Sequence, residues 1–155
     1  MRDRRSGFTL FELLTSIVLI GIILAFSYPK LQYVARTASL RGARGAMITA
    51  VNVAKTSAIA SGKCSYLKIT SSSVKVFTTP CSGGTQIEVV SDRNFSTDYG
   101  VTVTLTKGSG TAQSSDSLGF DPRGIPLSNA QSSVFTLTKA DASFSVTVGN
   151  YGRVQ

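Results

Sequence analysis

The chain has 155 residues, a formal charge of +8, and neither histidine nor tryptophan. That length allows one small domain and an anchor. Without histidine no side chain ordinarily titrates near neutral pH, so histidine-based acid–base and nucleophilic catalysis is excluded. In chain order, the first feature is a basic leader. Arg2, Arg4 and Arg5, offset by Asp3, precede an apolar run over residues 8–28 whose only charge is Glu12. As a helix rising about 1.5 Å per residue, the run spans about 30 Å, the hydrocarbon thickness of a bilayer. The leader keeps its own end cytoplasmic and sends the rest to the far side. No small-x-small cleavage site follows the run, unlike an ordinary signal peptide. Glu12 lies near its start, where an unpaired acid at bilayer depth costs about 2.5–3.5 kcal/mol. It needs a partner.

Gly7-Phe8-Thr9-Leu10-Phe11-Glu12, behind a short basic leader, resembles the class III signal of type IV pilins and type II secretion pseudopilins. The resemblance implies that a prepilin peptidase cuts between Gly7 and Phe8 and that Phe8 is then N-methylated. It also implies that Glu12 pairs with the charged amine of Phe8 on a neighbouring subunit during filament assembly. The physics agrees, because an amine at the same depth removes much of the cost of a lone acid in lipid. The plainer alternative is an uncleaved anchor with a tolerated acid.

The helix is expected to continue past the membrane. Pro29 removes a backbone donor and favours a kink. With Gly21 it marks 21–29 as a candidate for local unwinding in a filament. Apolar or small residues then recur at Leu31, Val34, Ala35, Ala38, Met47, Ala50, Val51, Ala54 and Ala58, one helical face. Gly42 and Gly45 weaken the helix by up to about 1 kcal/mol each relative to alanine. Close packing and simple flexibility are equal explanations for them. Ser61-Gly62 supplies a left-handed stop. The whole element would be roughly 80 Å long, its first half an anchor and its second half the spine of a domain.

Beyond it the pattern changes to period two. Residues 64–70 and 73–78 read as a hairpin around Ser71-Ser72. Cys64 and Cys81 flank it. On an oxidising side of the membrane a bridge is expected, stapling the hairpin base and adding about 3 kcal/mol in the chain-entropy picture. Two buried free thiols are the alternative, and two cysteines without histidine are too few for a metal. Residues 86–90 and 101–106 are further strands, and 107–116 is a polar glycine-serine loop. Residues 118–126 make a short strand entering a tight turn in which Asp121 is a turn residue. Residues 134–138 and 144–148 pair across 140–142.

Phe120-Asp121-Pro122-Arg123-Gly124, two strands and a final Gly152-Arg153 resemble the GspH/FimT family of minor pseudopilins and minor pilins, as does Ala58-Ile59-Ala60-Ser61-Gly62 at the helix end. Residues 82–116 match no motif. The implied fold is α+β and pilin-like, a long N-terminal helix on a small antiparallel β-sandwich. The implied division is a leader at 1–7, a transmembrane and assembly helix at 8–29, an amphipathic continuation at 30–62 and a β-rich domain at 63–155. The implied role is a structural subunit that primes assembly or sits at the tip of a type II secretion pseudopilus or a type IV pilus. Its partners would be other pilins, the prepilin peptidase and the bacterial inner membrane, with the β-rich domain in the periplasm or cell exterior. The alternative is a minor pilin that binds DNA for natural transformation. In the DNA-binding members the tail resembles Gly-Arg-x-Arg, whereas here glutamine replaces the second arginine in Gly152-Arg153-Val154-Gln155. Arg153, Arg123 and Lys63 are the candidate DNA contacts, and Tyr151 is read as a packing residue.

No catalytic constellation stands out. The acids Glu88, Asp92, Asp98, Asp116, Asp121 and Asp141 show no metal-ligand spacing, and no Gly-x-Ser-x-Gly elbow occurs. Gly108-Ser109-Gly110 lacks the lysine and helix of a phosphate loop, so no cofactor is expected. Lys30, Arg36, Arg41, Arg44, Lys55, Lys63, Lys68 and Lys75 are all basic, and no acid falls between Leu13 and Ile87. This reads first as a solvated face with Lys30 and Arg36 at the headgroups. Attraction of nucleic acid or lipid phosphate is the second reading.

Overall fold

A computed structural model describes residues 8–127 and 132–155 of the chain. The expected leader at 1–7, with Gly7 on one side of the scissile bond, lies outside the described residues. The chain divides into two compact units, Met1–Ala35 and Arg36–Gln155.

Helix α1, Leu10–Ser61, is 52 residues long and continues through Gly21 and Pro29 without a break. In the first unit its apolar residues point to every side and stay exposed, from Leu10 and Phe11 to Leu31 and Val34. Its most apolar 18-residue window has a mean hydropathy of 2.4, enough to cross a membrane by length and composition.

In the second unit the same helix turns amphipathic. Leu40, Ala43, Met47, Val51, Ala54 and Ala58 are buried at spacings of three and four. This corrects the expected face in part. Leu31, Val34, Ala35 and Ala38 are exposed, and Leu40 and Ala43 are buried instead. The buried stripe, extended backwards, runs through Arg36 and Tyr33, which are exposed, so it ends at Leu40. The two glycines also separate. A β-carbon on Gly42 would lie 3.1 Å from the Tyr99 ring, whereas Gly45 has nothing within 4 Å. Gly42 is a packing notch and Gly45 is open surface. Gly62 ends the helix in the left-handed region, at φ 63°.

Among the described residues, seven strands follow. β1 (Cys64–Ile69) and β2 (Ser73–Thr79) form the expected hairpin. β3 (Ile87–Asn94) extends further than the sequence indicates, and β4 is Thr102–Lys107. β5 (Asp116–Phe120) leads into the turn, and β6 (Ser133–Lys139) pairs with β7 (Ala142–Val148). They form two antiparallel sheets, in the order β3-β2-β1-β5 and β4-β6-β7. One core joins the helix stripe to both, through Leu67, Val76 and Leu118 of the first sheet and Val103, Leu137 and Val146 of the second. Cys64 and Cys81 are bridged, their Cα atoms 5.0 Å apart. The bridge ties the first residue of β1 to the loop after β2.

A short helix, α2 (Phe95–Tyr99), carries the chain from the first sheet to the second. The sequence reading left it out. Asn94 caps it by accepting from the amides of Ser96 and Thr97, both at 3.1 Å. Lys139 Nζ donates to the Tyr99 carbonyl at 2.6 Å, which holds its far end.

Three of the four outer sheet edges are covered by returning chain. Leu105 of β4 exchanges both backbone bonds with Gln113. Leu127 donates to Gly119 of β5, and Thr147 of β7 pairs with Gln155. Among the described residues, the outer edge of β3 has no such cover.

Candidate functional site

Two groups of residues bear on function, one in each unit. The first is the start of α1. Thr9 precedes the helix, and its hydroxyl accepts from the Glu12 amide at 3.2 Å. Thr9-Leu10-Phe11-Glu12 thus has the spacing of a capping box. The sequence reading singled out Glu12 and missed that Thr9 fixes where the helix starts. The consequence is positional. Glu12 sits in the first turn, where the helix dipole favours a negative charge. Its side chain is exposed, as is that of Phe8 at 76%. Thr15 and Ser16 donate to the Glu12 carbonyl at 3.0 and 2.7 Å. Those hydroxyls are satisfied within the helix, so the segment can enter an apolar surrounding with few unpaired polar groups. Both predicted assembly residues, Phe8 and Glu12, therefore lie on one short exposed stretch.

The second group surrounds the end of the chain. After β7 the backbone turns over residues 149–152 and comes back, with Gly149 donating to Arg153 at 2.8 Å. Gly152 has φ 71°, and a β-carbon there would lie 2.6 Å from the Gly124 carbonyl oxygen. Only glycine fits that approach. The predicted turn at Asp121 to Gly124 and a second turn at Gly149 to Arg153, which the sequence did not announce, are thus packed against each other. Lys55 of α1 donates to the Gly152 carbonyl at 3.2 Å and lies against both glycines. Sequence reading placed Lys55 among free surface charges. It is instead a tether, and a half-buried one.

Of the three candidate DNA contacts, Arg153 is exposed on this turn. Arg123 is exposed too, but Asp121 already engages it, Nε to Oδ2 at 2.9 Å. Asp121 is a turn residue as expected, accepting from the Arg123 and Ile125 amides. The Ile125 amide holds its carboxyl below the ordinary range, against the opposing effect of burial and with help from Arg123. Lys63 stands apart at the α1–β1 junction and has no ion pair among the described residues. Tyr151 does not pack as expected. It is 87% exposed at the tip of the turn.

Residues 2–28 match the prokaryotic N-terminal methylation motif. No curated protein matches the chain in sequence. Two crystal structures of the type IV minor pilin FimU from Pseudomonas aeruginosa strain PAO1 share its fold. One, in space group P21, has a TM-score of 0.58 at 13% identity and covers 77% of this chain and 88% of its own. The other, in P65, has a TM-score of 0.56 at 14% identity and covers 75% and 90%. The chain therefore carries a prokaryotic N-terminal methylation motif ahead of a fold shared with a minor pilin: a long helix, antiparallel sheets and one disulfide.

Proposed function

We propose that the chain is a minor subunit of a type IV filament system, one that primes assembly or occupies the tip of a type II secretion pseudopilus or a type IV pilus. The observation that carries this is the pairing of the methylation motif over residues 2–28 with a fold shared with a minor pilin. Either alone would be weaker, since a fold does not by itself specify a function.

The mechanism follows from the start of α1. A prepilin peptidase removes residues 1–7 by cutting between Gly7 and Phe8. Phe8 then bears the N-terminal amine, which is methylated and stays cationic. In the inner membrane, residues 8–29 span the bilayer, and 30–62 continue the helix into the β-rich domain, 63–155, on the periplasmic side. A lone Glu12 at that depth is costly. A neighbouring subunit's Phe8 amine at the same depth satisfies it and sets the axial register between subunits. The role is structural and involves no turnover. Mass spectrometry of the membrane-extracted protein tests this, with a methylated Phe8 as the expected N-terminus. A Met1 start in cells that make the peptidase would overturn it.

A second reading is DNA capture at the C-terminal turn. Its support is that Tyr151 and Arg153 are both exposed there, which offers a stacking ring beside a phosphate contact. Arg123 adds little, being held by Asp121. Titration of the full-length protein with double-stranded DNA at two salt concentrations checks it. Binding that weakens with salt and drops on Arg153→Ala supports the reading, and no binding at low salt removes it.

A further inference from the structure

The seam between α1 and the uncovered edge of β3 is built differently from the rest of the globular unit. A slot of about 160 Å³ opens there, walled by Ala46, Ala50 and Val53 of α1 and by Val76 and Val90 of the first sheet, with Arg93 beside them. The helix contributes small side chains at this level, so the sheet and the helix leave a gap. Thr49 also faces it, but its hydroxyl is spent on the Gly45 carbonyl at 2.9 Å. The walls are accordingly apolar. A dry apolar cavity of about 150 Å³ takes a benzene-sized group, so this slot has room for one branched or aromatic side chain.

The rim carries more. Ile87 and Val89 of β3 are 54% and 42% exposed, which extends the apolar surface along the open edge. Arg93 is exposed and has no ion pair among the described residues. Of the acids in the adjoining hollow, Asp92 is held by Lys75 at 3.3 Å, and Asp98 lies beyond ion-pair reach of Arg93. The manner of contact can also be decided. An open edge invites an added strand, but the pairing of β2 with β3 shifts register twice, at Val74/Val76 and at Val76/Phe77. Irregularities of that kind, with Glu88, Asp92 and Arg93 on the strand, disfavour main-chain addition. A side-chain insertion remains.

We propose that this seam receives a neighbouring, non-identical filament subunit, which inserts one apolar side chain into the slot and sets a carboxylate on Arg93. The proposal rests on the filament-subunit reading and deepens it by assigning the surface on the globular unit.

The test uses the full-length protein in the membranes of cells that assemble the filament. A photo-crosslinking residue is placed at Ile87 or, as a control, at Lys68 on the opposite face of the first sheet. Mass spectrometry identifies the adduct. The expected result is an adduct from position 87 with a different subunit bearing an N-terminal methylation motif, joined through a segment with an acid beside an apolar residue. Position 68 gives none. Arg93→Glu lowers the yield about tenfold. Ala50→Leu fills the slot from within and abolishes the adduct, while a non-reducing gel confirms that the Cys64–Cys81 bridge still forms. Unchanged yield in both variants, an equal yield from position 68, or an adduct with lipid or a second copy of this chain would overturn the proposal. If the protein is recovered in the sheared filament fraction while the adduct ignores both variants, only the slot assignment falls. If the unsubstituted protein never enters that fraction, the filament reading itself falls.

Discussion

The two halves of α1 share one backbone geometry and two opposite rules for side chains. Before Ala35 nearly every position is apolar and exposed, and the one acid, Glu12, stands in the open. After Arg36 the apolar residues shrink to a stripe, with charge and alanine elsewhere. A helix that is apolar all round suits a membrane or other helices, and a striped one suits a domain core. The first half has therefore left its contacts to be made later, which on the proposed reading means by lipid and by neighbouring subunits. The second half has already made them.

Substitutions on either side of that divide should behave in opposite ways. The largest expected effect is Glu12→Gln. Removing one partner of an ion pair in a low-dielectric site costs about 3–5 kcal/mol, which is a hundredfold or more in an equilibrium. Incorporation into sheared filaments should fall by that order while membrane insertion is unchanged. Recovery equal to wild type would end the assembly role of Glu12.

Next is a matched pair of truncations. Met47→Ala, at a position with no exposure, should lower the stability of the globular unit by about 2–5 kcal/mol. Leu24→Ala, at a position 63% exposed, should leave it unchanged within error. Denaturant unfolding in detergent measures both. Similar losses would mean that the first half also packs on the domain.

A smaller effect separates the two glycines. Gly45→Ala should stabilise the helix by up to about 1 kcal/mol, since nothing opposes the new methyl. Gly42→Ala should destabilise by a similar amount, about 1 kcal/mol. The Tyr99 ring is in the way, and Lys139 on its carbonyl limits its retreat. Equal gains at both positions would show that α2 yields easily.

The smallest effect is the pH response of the Asp121 turn. Its folded carboxyl lies below its ordinary 3.8, so the stability it contributes is fully present above that value. That contribution is lost as pH falls from there through the lowered value. Asp121→Asn keeps an acceptor for the amides and should flatten this part of the acid profile. An unaltered profile would remove Asp121 as its source.

What could be read from residues alone follows the range of the forces involved. Period-two alternation is local, so the hairpin and the β6–β7 pair were legible, and Gly62 marked the helix end for the same reason. Glu12 stood out because an acid in an apolar run contradicts its surroundings, and its assembly role is the proposal that Glu12→Gln tests. α2 was not, because five residues are too few to show a period, although Asn94 is a fair cap signal. The phase of the buried stripe was missed between Ala38 and Met47, where small residues and two glycines leave little pattern. Lys55 looked like any surface lysine, because its acceptor on Gly152 lies 97 residues away. Tyr151 was misjudged because exposure at the tip of a turn depends on where the turn points.

The bridge between Cys64 and Cys81 also makes the molecule a recorder of its own address. Its two sulfurs join where the surroundings are oxidising and stay apart where glutathione and thioredoxin keep thiols reduced. They belong to the β-rich part, whereas residues 1–62 contain no cysteine. For a membrane-anchored subunit as proposed, the state of this one bond therefore reports which face of the membrane the β-rich part reached. Copies carrying two free thiols would be those whose globular part had not crossed, and they could be counted in a mixed population without separating membranes at all.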